Sequence, residues 1–338
     1  MTHRELKSST VPESIIEISH LTKIFGQTTA VEDISFSVQK GETFVLLGTS
    51  GCGKTTSLKT INRLIEPTSG AVYIEGCDTA ERDPEELRRG IGYVIQDIGL
   101  FPHWTAERNI AVVPELLGWD RSKIQERVHE MLNLVGLDPA AYAGRYPAEL
   151  SGGQQQRVGL VRAFAADPPI ILLDEPFGAL DPISRREIQK EFKNLESLLD
   201  KTMVLVTHDV FEAFDLGDRI CLMDHGRIKQ VGFPRDLLYS PADDFVRRFF
   251  QANRFLLELK VLSLKDILPH LPGREELAED LPCFSEESSL LDVLESLERD
   301  KGGTAPFVIT DAEDAPVAQT DAGEVLSAFY TIKPMEPS

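Results

Sequence analysis

Apolar and polar residues alternate in short runs along the start of the chain. Ile15 to His20 and Val31 to Val38 carry the two-residue period of half-buried strands, and Gly26-Gln27 between them is turn material. Thr43 to Leu47 is a short apolar run, suited to a buried strand, that passes directly into a glycine-rich stretch. The pattern predicts a helix from Lys54 to about Leu64, a turn at Pro67-Thr68-Ser69-Gly70 and another strand over Ala71 to Glu75.

Strand signals fade between about Ile98 and Gly144. Within that stretch Ile124, Val128, Met131, Leu132 and Val135 fall on one helical face, so it reads as a helical insert. Ile170 to Leu173 is long enough only for a buried strand, Ile183 to Leu199 reads as a helix, and Met203 to Val206 is another buried strand. Strands alternating with helices imply an α/β layered fold around a largely parallel sheet. Residues 1–14 read as a loose polar arm. Near Arg254 the composition shifts: from there to Ser338 the chain carries 18 acidic and 7 basic residues. This tail should contain an amphipathic helix over Leu290 to Leu297 with serines before it as caps, a strand over Ala305 to Thr310 and a short helix over Ala322 to Phe329. The chain shows no tandem repeat.

The length of 338 residues fits one large domain and one smaller one, divided here at 253/254. A net charge of −20 argues against nucleic acid as the partner. No apolar run approaches the ~20 residues that cross a bilayer, and Met1 to Lys7 leads into no signal-peptide core, so the chain is expected to stay in the cytosol. Cys52, Cys77, Cys221 and Cys283 match no zinc spacing, and Cys52 is expected to serve as a small residue inside the glycine loop.

Candidate chemistry begins at Gly48-Thr49-Ser50-Gly51-Cys52-Gly53-Lys54-Thr55-Thr56, which satisfies G-x-x-x-x-G-K-[ST] between a strand and a helix. Glycines let the backbone close around phosphate oxygens, and the helix N-terminus adds a favourable dipole. Lys54 is the candidate for the β- and γ-phosphates of ATP and Thr55 for Mg²⁺. The buried run Ile170 to Leu173 carries Asp174 to a strand end, where it can hold Mg²⁺. Glu175, one residue on, can serve as general base for the attacking water.

Leu150-Ser151-Gly152-Gly153-Gln154-Gln155-Gln156-Arg157 is similar to the signature motif of ABC ATPases. The resemblance extends over about residues 15 to 250. It implies a P-loop core with a mixed, mostly parallel sheet, an antiparallel β subdomain and a helical subdomain over about 98–160. It further implies that Ser151, Gly152, Gly153 and Gln154 meet the ATP held by a second copy in a head-to-tail dimer. Gln96 in Val94-Ile95-Gln96-Asp97 matches the Q-loop, a contact to Mg²⁺ or the water. His208 in Val206-Thr207-His208-Asp209 matches the switch histidine, Asp181 the D-loop, and Phe25 the aromatic on which adenine stacks.

Without a spanning segment, the pore must be a separate transmembrane permease, which places the chain at the cytoplasmic face of the membrane. Residues 60–70, 93–103 and 112–119 look like the quaternary-amine uptake group, importers of glycine betaine, proline betaine, choline or carnitine. An extracytoplasmic solute-binding protein is then an indirect partner. Leu100, Phe101 and Pro102 are candidates for the permease contact. Another small solute, such as an amino acid, and a soluble non-transport ABC ATPase stay open. Members of that group often carry two cystathionine-β-synthase-type (CBS) modules after the ATPase. The tail over 254–338 has room for about one, so a small α+β regulatory or dimerisation domain is expected, with Leu290 to Asp311 resembling half a module.

Overall fold

The computed structural model describes residues 14–96, 98–178, 180–199, 201–272, 281–301 and 305–332. The arm expected over 1–14 lies outside them except for Ser14, which opens the first strand. The chain divides into two compact units, Met1–Phe233 and Pro234–Ser338.

The first unit holds two sheets. One is antiparallel, in the order β2-β1-β4-β5, with β1 at Ser14–Phe25, β2 at Thr28–Gln39, β4 at Ser69–Ile74 and β5 at Cys77–Asp78. Gly26-Gln27 forms the expected two-residue turn, since Phe25 pairs with Thr28. The second sheet runs β10-β9-β3-β8-β7-β6. Its members are β3 (Thr43–Gly48), β6 (Ile91–Val94), β7 (Ile170–Asp174), β8 (Thr202–Thr207), β9 (Arg219–Asp224) and β10 (Arg227–Gly232). All neighbours in it are parallel except β9 and β10. Every residue of β3, β7 and β8 is buried, which is why they read as unbroken apolar runs: a parallel sheet covered on both faces leaves no solvent side to mark by alternation.

Helices α1 (Lys54–Ile61), α2 (Pro84–Arg89), α3 (Ala106–Leu116), α4 (Arg121–Leu134), α5 (Pro139–Tyr142), α6 (Gly152–Phe164), α7 (Pro182–Leu199) and α8 (Val210–Leu216) complete the unit. The helical insert is present: α3, α4 and α6 pack on one another and α5 on α4. Val128, Met131 and Leu132 of the predicted helical face are buried. Among the described residues no helix is long and apolar enough to cross a membrane.

The second unit contains α9 (Pro234–Tyr239), α10 (Asp244–Gln251), α11 (Arg254–Val261), α12 (Leu264–Ile267), α13 (Leu290–Lys301) and α14 (Ala322–Ile332). Its sheet is β11-β12-β13, with β11 at Cys283–Ser285, β12 at Phe307–Thr310 and β13 at Pro316–Thr320. The predicted helices and strand of the tail are there, and β13 is an addition, paired antiparallel to β12. Its own core contains Leu264, Ile267, Leu290, Val293, Leu297, Phe307, Ile309, Val325 and Phe329.

The division falls at Phe233/Pro234 and not at the expected 253/254. Composition marks where charge changes, whereas packing sets the boundary. Helix α9 packs on α10 and α11, and Arg235 pairs with Asp266 at 3.0 Å, so residues from 234 belong with the tail.

Candidate active site

Three neighbouring strands of the parallel sheet end at one level. Leu47 of β3 stands beside Thr207 of β8, and Val206 of β8 beside Asp174 of β7. The residues that follow are Gly48, His208 and Glu175. Ligand sites of open α/β sheets form at the carboxyl ends of such strands.

The loop after β3 is held tightly. Gly48 has φ +156°, and a Cβ there would collide with the carbonyl of Met223; a Cβ on Gly53, at φ +100°, would stand 2.5 Å from the Ala30 carbonyl oxygen. Only glycine fits both places. The Gly226 amide donates to the Cys52 carbonyl at 3.2 Å. Ser50 and Gly51 are exposed, while Cys52 and Gly53 are buried. Cys52 is a small buried residue, as expected, and burial pushes its thiol up. Lys54 is 5% exposed, and its Nζ donates to the carbonyls of Gly48 at 2.8 Å and Thr49 at 2.9 Å. Its charge is thereby kept within the loop mouth. Thr55 and Thr56 occupy the first turn of α1, whose leading N–H groups have no intrahelical acceptor.

The Thr55 hydroxyl donates to Asp174 Oδ1 at 2.7 Å. Asp174 is 1% exposed; burial raises its carboxyl pKa, opposed by the Thr55 hydrogen bond and the Lys59 charge. Two hard oxygen donors meeting at a buried carboxylate suit a magnesium ion. Tyr93, on β6, places its hydroxyl 3.5 Å from Asp174 Oδ2, a neighbour the sequence motifs do not reveal.

Glu175 adopts φ +46°, an uncommon conformation outside glycine, and its amide donates to the Val206 carbonyl at 3.0 Å. Its Oε2 lies 3.3 Å from His208 Nδ1. Gln96 follows β6, two residues beyond Val94, which pairs with Leu173. The arrangement of Lys54, Thr55, Asp174, Glu175 and His208 at one sheet edge can bind a polyphosphate and activate water against it.

Phe25 ends β1, in the antiparallel sheet. It is 47% exposed, with the Lys23 ammonium 4.9 Å from its ring centroid. Asp181 precedes α7, and its Oδ1 accepts from the Ser184 amide at 3.1 Å.

Ser151 caps α6. Its hydroxyl accepts from the Gln154 amide at 3.3 Å, and Gln154 Oε1 accepts from the Ser151 amide at 3.0 Å, a reciprocal capping box. Ser151 and Gly152 are exposed and Gly153 half-buried. Gln154 Nε2 donates onward to the Tyr142 hydroxyl at 3.3 Å.

Several supporting side chains carry no motif of their own. Buried Gln156 donates to the Pro176 carbonyl, tying α6 to the segment after Glu175. Arg162 donates to the carbonyls of Ile98 (3.1 Å) and Gly99 (2.7 Å) beyond Gln96. Asn109 is fully buried and donates to the carbonyls of Phe101, Trp104 and Thr105. It shapes the turn that leaves Phe101 40% exposed. Their signal is a long polar side chain on a buried helix face, which becomes specific only once its acceptor is in place.

The ABC transporter family profile matches residues 31–178. The chain is 50% identical over 263 residues to the osmoprotectant import ATP-binding protein OsmV of Salmonella typhimurium, covering 76% of this chain and 69% of that protein. It is 49% identical over 280 residues to the glycine betaine uptake system ATP-binding protein YehX of Escherichia coli, covering 83% and 89%. With the glycine betaine/carnitine/choline transport ATP-binding protein OpuCA of Bacillus subtilis it shares 53% identity over 243 residues, 72% of this chain and 64% of that protein. The solved dimeric structure of MJ0796, a bacterial ABC transporter cassette, superposes with TM-score 0.59 at 36% identity, over 64% of this chain and 98% of the cassette. The chain belongs to the ABC transporter family, and its first unit is an ABC-type ATPase.

Proposed function

We propose that this chain is the ATP-hydrolysing subunit of an importer for a quaternary-amine compatible solute: glycine betaine, proline betaine, choline or carnitine. The observation that carries the reading is the convergence of Gly48, Glu175 and His208 at one sheet edge. The substrate class rests on the 49–53% identity to ATP-binding proteins whose names specify osmoprotectant, betaine, carnitine and choline transport.

In this reading the adenine stacks on Phe25, and the phosphates sit in the loop formed by Gly48, Ser50, Gly51, Cys52, Gly53, Lys54, Thr55 and Thr56. Lys54 turns from its own loop carbonyls to the β- and γ-phosphates. Thr55, Asp174 and Gln96 would hold Mg²⁺, which when bound would offset charge on the phosphates. Glu175 takes the proton of the attacking water. His208 contacts the γ-phosphate and orients Glu175. The site is completed by Ser151, Gly152, Gly153, Gln154 and Asp181 of a second copy, whose capped helix start offers exposed donors to an anion. ATP binding closes the pair, hydrolysis reopens it, and the movement passes to a transmembrane permease through Leu100, Phe101 and Pro102. An extracytoplasmic solute-binding protein supplies the solute, and the chain works at the cytoplasmic face. The second unit, as a regulatory or dimerisation domain, tunes this cycle.

The test is uptake. In cells lacking their own betaine importers, the chain co-produced with its permease and solute-binding protein should restore uptake of labelled glycine betaine, and Lys54→Ala should abolish it. Uptake of an amino acid with no uptake of any quaternary amine would overturn the substrate class.

A further inference from the structure

We infer that Glu212 is a positioning residue for hydrolysis: its buried carboxyl, acting through Thr207, fixes the turn that holds His208 against Glu175. The inference rests on the reading of Glu175 and His208 as the hydrolytic pair.

Glu212 lies in the first turn of α8 and is 7% exposed. The Thr207 hydroxyl donates to Glu212 Oε2 at 2.8 Å and accepts from the Asp209 amide at 2.9 Å. Thr207 and Asp209 flank His208, so one carboxyl controls both shoulders of the turn. On the far side of that turn, His208 Nδ1 reaches Glu175 Oε2 at 3.3 Å. Helix capping does not account for this placement. Asp209 Oδ1 already accepts from the amides of Phe211 at 2.9 Å and Glu212 at 3.3 Å. An acid serving only the helix dipole can remain in water, whereas burial of a carboxyl group carries a desolvation cost. Glu212 Oε1 has no hydrogen-bond partner among the described residues.

The charges facing Glu212 explain its state. Burial acts most strongly and the Thr207 hydrogen bond opposes it. Asp209 and Glu175 repel its negative charge and Arg185 attracts it, and together they push the carboxyl up to about 8. Arg185 also donates to the carbonyls of Phe177 at 3.1 Å and Leu180 at 3.0 Å, in the segment after Glu175. Near neutral pH a protonated Glu212 therefore holds the turn without placing a second negative charge behind Glu175, which must face the polyphosphate. Ionisation adds that charge and disfavours the negative charge that builds at the reacting phosphate during hydrolysis.

Steady-state ATPase assays on the full chain across the pH range test this. Glu212→Ala should lower kcat by about 10- to 100-fold while KM for ATP stays within about threefold, because the nucleotide is held by other residues. Glu212→Gln keeps an acceptor for Thr207 and should restore kcat to within about threefold of the natural chain at neutral pH. The natural chain should lose kcat through an inflection near pH 8, and Glu212→Gln should lack that inflection. Thr207→Val breaks the link with both neighbours intact and should match the alanine loss, which keeps the test open if Glu212→Ala does not fold. Natural kcat in Thr207→Val, or an unchanged inflection in Glu212→Gln, would overturn the inference. Glu175→Gln and His208→Ala, assayed alongside, separate the two readings. If they hydrolyse ATP normally, the hydrolytic pair itself is misassigned; if they are inactive while Thr207→Val is normal, only the role of Glu212 fails.

Discussion

Gly53-Lys54 and Ser151-Gly152 both open a helix from glycine-rich chain, but the surroundings differ. The first is pressed on by the Ala30 carbonyl, as Gly48 at the start of the same loop is by that of Met223, and its lysine is 5% exposed with its charge turned onto two loop carbonyls. The second is closed by the Ser151–Gln154 capping box, with Gln154 tied on to the Tyr142 hydroxyl, and leaves Ser151 and Gly152 at the surface. A loop shaped by the surrounding fold is ready before its ligand arrives. A capped helix start at the surface has exposed donors for a partner to use. In the proposed reading the pair are two halves of one site carried at different places on the same chain, which a second copy would bring together.

The strongest way to break that comparison is Glu175→Gln. Loss of the general base should reduce kcat by about 10³-fold while ATP binding persists, so the two halves stay joined and the chain elutes as a dimer in ATP. An ATP-bound monomer would count against the pairing. Next, Lys54→Ala should weaken ATP binding by about 10- to 100-fold, the scale of a lost charge-assisted contact, as read by calorimetry. Ser151→Ala should act differently. It should lower hydrolysis by about tenfold, leave ATP affinity of the dilute chain unchanged and cost about 1 kcal/mol of stability through the lost cap, measured by denaturant unfolding. If Ser151→Ala weakens ATP binding to the monomer as much as Lys54→Ala does, the distinction between the halves collapses.

A further effect is on stability with pH. The folded pKa of Glu212, about 8, exceeds its ordinary 4.5, so the folded state binds the extra proton between those values. Its contribution to stability is therefore full below 4.5 and is lost as pH rises through about 8. Thermal melts should decline over that window and flatten in Glu212→Gln; equal slopes in both chains would show that another group carries the dependence.

Much of the site was legible because its chemistry needs particular residues in unbroken order. The glycine loop, the apolar strand ending in Asp174-Glu175 and the Ser-Gly-Gly helix start are all local patterns. Strands β6 and β10 were less visible: β6 has four residues and β10 is half-exposed, so neither gives a long apolar run or a clean alternation. The division at Pro234 was hidden for a related reason. The acidic composition begins at 254, but Leu237, Leu238, Val246 and Phe250 are already buried, in helices grouped with the tail.

By itself the sequence determined many of the strands and helices, β3, α1, β7 and β8 among them, and which segments match a phosphate-binding motif, since both follow from spacing along the backbone. Only the tertiary structure decided that β3, β8 and β7 lie side by side, with Gly48, His208 and Glu175 at one edge. It alone set Gln156 on the Pro176 carbonyl and Tyr93 beside Asp174. The physical reason is that strand order and buried polar pairing depend on contacts between residues far apart in the chain. A hydrogen bond that depends on the meeting of two distant segments leaves no periodic mark in either of them.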